Sequence, residues 1–185
     1  MRISKNIIIF YLVSIILLLL LFGCNYQLEP IKIGVVGTMS GIDSDLSVSG
    51  RRGVELAVEE FNNSGGLNGR KVEIVVKDDK NDVNQALRVD NEFIDKNIPV
   101  VIGHYTSGMM VESMDYLRTR DILFLSPTIS ADSLSGIDDN FIRFIATTKE
   151  QAVVLTNLAN KNNHKKFAII YDLSNKGFNE NLYNN

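Results

Sequence analysis

A doubly wound α/β fold built on a parallel sheet is what this sequence predicts. Runs of branched apolar residues recur at residues 31–36, 72–77, 100–102 and 122–125, continuous rather than alternating, as strands buried on both faces read. Segments with apolar residues at helical spacing follow them, and loops rich in glycine, serine or proline separate the two kinds of segment.

A different kind of segment lies ahead of the first strand. Arg2 and Lys5 precede an uncharged apolar run over residues 7–22, and Gly23 and Cys24 close it. A charged n-region, an apolar h-region and a small residue before a cut site describe a secretory signal. The single cysteine of the chain sits where cleavage would occur. LFGC resembles the bacterial lipobox, with Phe22 where a smaller residue is usual. The resemblance implies removal of residues 1–23, a diacylglyceryl group on Cys24 and a tether over residues 24–30. Read instead as an uncleaved anchor, residues 6–23 fall slightly short of the roughly 20 that span a bilayer. Either version fixes the chain to a membrane, on its periplasmic or extracellular face.

The charge balance excludes further classes. Lysine and arginine number 19 and aspartate and glutamate 22; without residues 1–23 the count is 17 against 22, a net charge of −5. Nothing in that balance seeks nucleic acid. With Cys24 committed, no thiol remains for a redox pair, and His104 and His164 form no metal-binding spacing. No metal and no cofactor are expected. A chain of about 160 residues buries roughly 70% of its unfolded surface, so one domain is the default.

The elements then follow in order. Residues 31–36 form a strand ended by the glycine-rich loop 37–41, and a helix from about residue 50 carries Val54, Ala57, Val58 and Phe61 at i, i+3, i+4 and i+7. Ser64, Gly65 and Gly66 stop it, glycine accepting the left-handed cap conformation. Residues 72–77 are the second strand, and Asp82 caps a helix whose apolar face holds Ala86, Val89 and Phe93. Pro99 opens the third strand, a helix from about Ser107 carries Met110, Met114 and Leu117, and residues 122–125 are the fourth strand. A fifth spans residues 141–145. Residues 149–161 are helical by Ala152, Leu155, Leu158 and Ala159; residues 167–171 read as another buried strand, and the last residues as a helix just starting.

In such sheets ligands sit outside the carboxyl ends of the strands, where strand order switches. The first loop lacks both dinucleotide and P-loop glycine spacing, which excludes a nucleotide. The loop 103–108 places Tyr105, Thr106 and Ser107 at a helix start, where unpaired N–H donors and partial positive charge suit a carboxylate; Ser107 as a plain helix cap is the simpler alternative. In the loop after the fourth strand, Pro127 fixes the backbone while Thr128 and Ser130 offer a carbonyl and hydroxyls to an ammonium group; Ser130 as a cap for residues 131–134 is the alternative. His104 reads as a packed or capping histidine. Asp78 and Asp79 are adjacent, so in extended backbone they point to opposite sides and make no acid and base pair. Asp132, Asp138 and Asp139 read as a solvated loop, and Met109, Met110 and Met114 as core. No serine elbow or available cysteine nucleophile supports catalysis. The expectation is a binder, not an enzyme.

The segments IKIGVVGTMSG, GVELAVEEFNNSGGLNGRKVEIVVKDDKNDVNQAL, VVIGHYTSG and LFLSPTISADSL resemble the leucine/isoleucine/valine-binding proteins, type I periplasmic binding proteins that serve ABC importers. The resemblance implies two Rossmann-like α/β lobes joined by hinge strands and closing over a small amino acid. It implies a ligand carboxylate held at Ser107 and Ser130, and an ammonium received by the Thr128 carbonyl and the Ser130 hydroxyl. An ABC transporter permease is the implied partner, branched-chain amino acids are the first candidates for ligand, and a sensory module with the same fold is the alternative.

Leu46 stands where the family often has an aromatic residue, and Lys176 where a tyrosine is expected, which leaves the side-chain pocket open. Family members run to about twice this length. With the first hinge crossing at residues 147–149, residues 31–148 read as the N-terminal ligand-binding lobe and residues 149–185 as the start of an incomplete second lobe. The acidic partner of the ligand ammonium would then lie beyond Asn185, and the expectation is a fragment that binds at least tenfold more weakly than a two-lobed protein.

Overall fold

A computed structural model of the chain describes residues 28–171, 173 and 175–185, together with Lys5, Ile7, Phe10, Tyr11 and Ser14. Most of residues 1–27, including Cys24, lie outside the described residues, and so do the signal peptide and lipidation expected there. Among the described residues no helix is long and apolar enough to cross a membrane.

Among the described residues five parallel strands form one sheet in the order β2-β1-β3-β4-β5: β1 Ile31–Gly37, β2 Val72–Asp78, β3 Val100–Ile102, β4 Leu123–Ser126 and β5 Phe141–Arg143. The helices are α1 Asp45–Asn63, α2 Val83–Asp95, α3 Ser107–Leu117, α4 Thr148–Lys161 and α5 Lys176–Asn184. The order reverses between β1 and β3, so the loops after these two strands flank a topological switch point.

One face of the sheet is fully packed. Val36, Val101 and Phe124 meet Val89 and Phe93 of α2 and Met110, Met114 and Leu117 of α3 in a continuous core in which each is at most 1% exposed. The three methionine positions are core, as expected. The Asp82 side chain accepts from Gln85 N–H at 2.8 Å and starts α2, satisfying a donor that the helix itself cannot.

Coverage of both faces, which the continuous apolar strands predict, is only half realised. Among the described residues α1 covers the second face over β1 and β2, while Ile102, Leu125 and the exposed Phe144 line an open apolar groove of about 650 Å³ with Val54, Val58 and Phe61 of α1. Periodicity reported which residues are apolar; it could not report whether a second helix would arrive to cover them.

Residues 167–171 also depart from expectation. They are not a strand, and Phe167 and Ile170 are 68% and 98% exposed. A parallel strand needs a neighbour to complete its hydrogen bonds, and the described residues supply none. These side chains line a cavity of about 540 Å³ with Leu155 of α4 and Tyr183 of α5 instead. The fifth strand ends at Arg143, because Phe144 donates a last backbone bond to Ser126 and the chain then turns away toward α4.

Candidate functional site

The loops after β3 and β4 are stitched together at the carboxyl end of the sheet. Ser126, the last residue of β4, donates its hydroxyl to the His104 carbonyl at 2.9 Å and accepts from the N–H groups of Thr128 and Ile129, both at 3.3 Å. The Thr128 hydroxyl donates to the Tyr105 carbonyl at 2.6 Å, and Ser130 N–H reaches the Ser107 hydroxyl at 3.4 Å. The Ser126 backbone stays in the ladder, and its side chain bonds the backbone of the turn that follows, which fixes that turn.

The arrangement brings Thr106, Ser107, Thr128 and Ser130 together. Helix α3 begins at Ser107 and its cap position is Thr106, whose side chain makes no capping bond; Ser107 is therefore not the cap. The hydroxyls of Thr106 and Ser130 are buried with no hydrogen-bond partner among the described residues. A buried hydroxyl without a partner costs about 1–3 kcal/mol, so each of these gains from a ligand that supplies an acceptor or a donor. Thr128, its hydroxyl engaged, has its carbonyl to offer.

Tyr105 is different. Its side chain turns away from this cluster and lies under α1, 2% exposed, so close to Gly37 and Gly50 that a Cβ on Gly50 would stand 2.1 Å from the ring. What Tyr105 gives the cluster is its carbonyl. Ser130 does not cap the short 3-10 turn Asp132–Leu134, whose cap position is Ala131.

Below the loops lies a buried ionic cluster. His104 is fully buried, its Nδ1 2.7 Å from Asp79 Oδ2 and its Nε2 3.3 Å from Asp90 Oδ1, with its ring parallel to that of Phe124. The Thr38 hydroxyl donates to Asp79 at 2.8 Å. Burial works to lower the His104 pKa, but the hydrogen bonds and charges of Asp79 and Asp90 outweigh it and raise the value to about 9. Burial likewise works to raise the Asp79 pKa, and the bonds from His104, Asn81 N–H and Thr38 carry it below its ordinary value. The imidazolium therefore ties the loop after β1, the loop after β2, α2 and the ligand-side loop into one unit. Asp78 holds the first loop from outside, accepting from Met39 N–H at 2.8 Å and from the Ser40 hydroxyl at 2.5 Å. The adjacent carboxylates do face different surroundings, as their spacing predicts.

The start of α5 comes over the same helix N-terminus. Gly108 N–H donates to Asn175 Oδ1 at 3.4 Å, and a Cβ on Gly177 would stand 3.1 Å from Gly108 N, a tight contact that the glycine relieves. Among the described residues no group of three or more histidine, cysteine or acidic side chains could hold a metal ion.

Sequence reasoning missed Asp90, Asn175 and Asp132. A signal for the first was present, since Asp90 is a charge on the buried stripe of α2 beside Ala86, Val89 and Phe93 and a charge there demands a partner. Asp132 sits half-buried at the edge of a largely exposed loop, and its carboxylate is not free there but accepts from Thr148 and Lys149.

A family model described as periplasmic binding protein matches residues 30–179. The chain is 31% identical to a Leu/Ile/Val-binding protein homolog of Brucella melitensis over 144 residues, which are 77% of this chain and 39% of that one. It is 36% identical to the Leu/Ile/Val-binding protein of Escherichia coli K12 over 108 residues, 58% of this chain and 29% of that one. It superposes on an ABC transporter substrate-binding protein of Desulfitobacterium hafniense in complex with Leu with a TM-score of 0.70 at 29% identity, covering 84% of this chain and 46% of that one. The chain thus spans less than half the length of each of these relatives.

Proposed function

This chain belongs to the periplasmic binding protein family, and from that premise we propose that it supplies the amino-acid-binding lobe of an exported receptor serving an ABC importer. The observation that supports the reading is the joining of the loops after β3 and β4 at the start of α3, where Ser130 N–H reaches the Ser107 hydroxyl and the Thr106 and Ser130 hydroxyls are buried without a hydrogen-bond partner among the described residues.

In this reading a ligand α-carboxylate sits at the α3 N-terminus, taking hydrogen bonds from the Ser107 and Ser130 hydroxyls and from backbone N–H groups. The α-ammonium is received by the Thr128 carbonyl and the Ser130 hydroxyl. Each charge-assisted bond contributes about 1.5–3 kcal/mol. The branched-chain ligands named for the relatives make leucine, isoleucine and valine the first candidates. Residues 31–148 form the lobe and residues 149–185 begin its counterpart, while Cys24, acylated after removal of residues 1–23, ties the receptor to the membrane beside its permease.

Isothermal titration of the purified chain with L-leucine, L-isoleucine and L-valine tests the reading. Saturable heat at a one-to-one ratio with at least one of them is expected. An absence of heat with these and with other α-amino acids overturns it.

A further inference from the structure

Resting on the amino-acid reading above, we infer that Asp132 is the positioning residue that couples the ligand loop to the point where the chain leaves the sheet. Asp132 follows Ser130 by two residues and opens the turn Asp132–Leu134. Its Oδ2 accepts from the Thr148 hydroxyl at 2.6 Å and from Asn185 Nδ2 at 2.9 Å, and its Oδ1 accepts from Lys149 N–H at 3.2 Å. The Ser130 carbonyl accepts from Thr148 N–H at 2.8 Å. The first turn of α4 is therefore bonded twice over to the loop that carries Ser130.

These bonds are not needed to start α4. Thr147 accepts from Glu150 N–H at 3.2 Å and Glu150 accepts from Thr147 N–H at 2.8 Å, a complete capping box within the helix itself. The Asp132 carboxylate adds a link between two elements, at a helix end where negative charge is favoured. Burial works to raise its pKa, but the bonds from Thr148, Lys149 N–H, Thr147 and Asn185 prevail and keep it ionised. Arg143, the last residue of β5, holds the remainder of the loop by donating to the Ala131 carbonyl at 2.8 Å and the Ser135 hydroxyl at 2.7 Å. A ligand drawn against Ser130 thus acts on a loop bonded to the start of α4, and Asp132, with the Ser130 carbonyl, passes the displacement to the segment that leads out of the lobe.

Backbone hydrogen exchange of the full chain with and without saturating L-leucine tests this. In the wild type leucine slows exchange at residues 128–130 and also at residues 147–151, each by at least about fivefold, the lower end of a typical coupling. In Asp132→Ala the slowing at 128–130 persists and that at 147–151 is weakened, only the backbone bond from Thr148 N–H to the Ser130 carbonyl remaining, while Asp132→Asn, which keeps one acceptor oxygen, restores part of it. Slowing at 147–151 that is undiminished in Asp132→Ala, or a wild type protected at 128–130 only, overturns the coupling and leaves the amino-acid reading standing. A wild type protected at neither segment overturns both.

Discussion

Replacing His104 by glutamine removes the one cation between two buried carboxylates while keeping a side chain of similar reach. The rise of its pKa from the ordinary 6.5 to about 9 corresponds to roughly 3 kcal/mol of folding free energy. The folded state holds the proton more tightly than the unfolded chain, so this stabilisation is complete below pH 6.5 and is lost as pH rises through 9. Asp79 sets the opposite edge: its lowered pKa contributes above the ordinary carboxylate range and is lost as the solution becomes acidic. The cluster is therefore strongest from about pH 5 to 6.5. Urea denaturation followed by circular dichroism at half-unit steps from pH 5.5 to 9.5 should show the wild type falling by roughly 3 kcal/mol between pH 6.5 and 9. His104→Gln should lie about 3–5 kcal/mol below it at pH 6, the usual penalty for stranding a buried charge, and should show little slope above pH 6.5. A wild type of level stability from pH 6.5 to 9, or a variant that keeps the slope, refutes the reasoning.

Further outcomes follow from the same structure. Ser107→Ala should weaken leucine binding about tenfold in calorimetry with the fold unchanged by circular dichroism; an unaltered dissociation constant contradicts its role. Gly50→Ala drives a methyl into the Tyr105 ring and should cost about 1–3 kcal/mol in thermal melts, a cost that shrinks when Tyr105→Leu is made in the same chain. Thr147→Ala removes half of the capping box of α4 and should cost about 1 kcal/mol in urea melts.

Local rules made much of the fold legible. The strand positions, the Asp82 cap and the methionine core depend on spacing and nearest neighbours, which a sequence displays. The meeting of the loops that carry Ser107, Thr128 and Ser130 was also readable, because β3 and β4 are successive parallel strands whose following loops lie side by side. What stayed hidden depends on long-range partners. His104 finds Asp79 and Asp90 through packing of three separate elements, and Asp132 finds Thr148 across β5. Tyr105 looked like a ligand residue by its position in the loop, but the missing side chains of Gly37 and Gly50 open a slot beneath α1 that its ring fills. Residues 167–171 carried a clear strand pattern and still lacked a ladder to join.

The central claim is that a ligand carboxylate is held at the start of α3. Backbone amide NMR of the chain titrated in parallel with L-leucine and with L-leucinamide, which lacks the negative charge, tests it most directly. Leucine should shift the resonances of Ser107, Gly108 and Ser130 while leucinamide at equal concentration leaves them in place; equal shifts from both compounds, or leucine shifts confined to other parts of the chain, would contradict it.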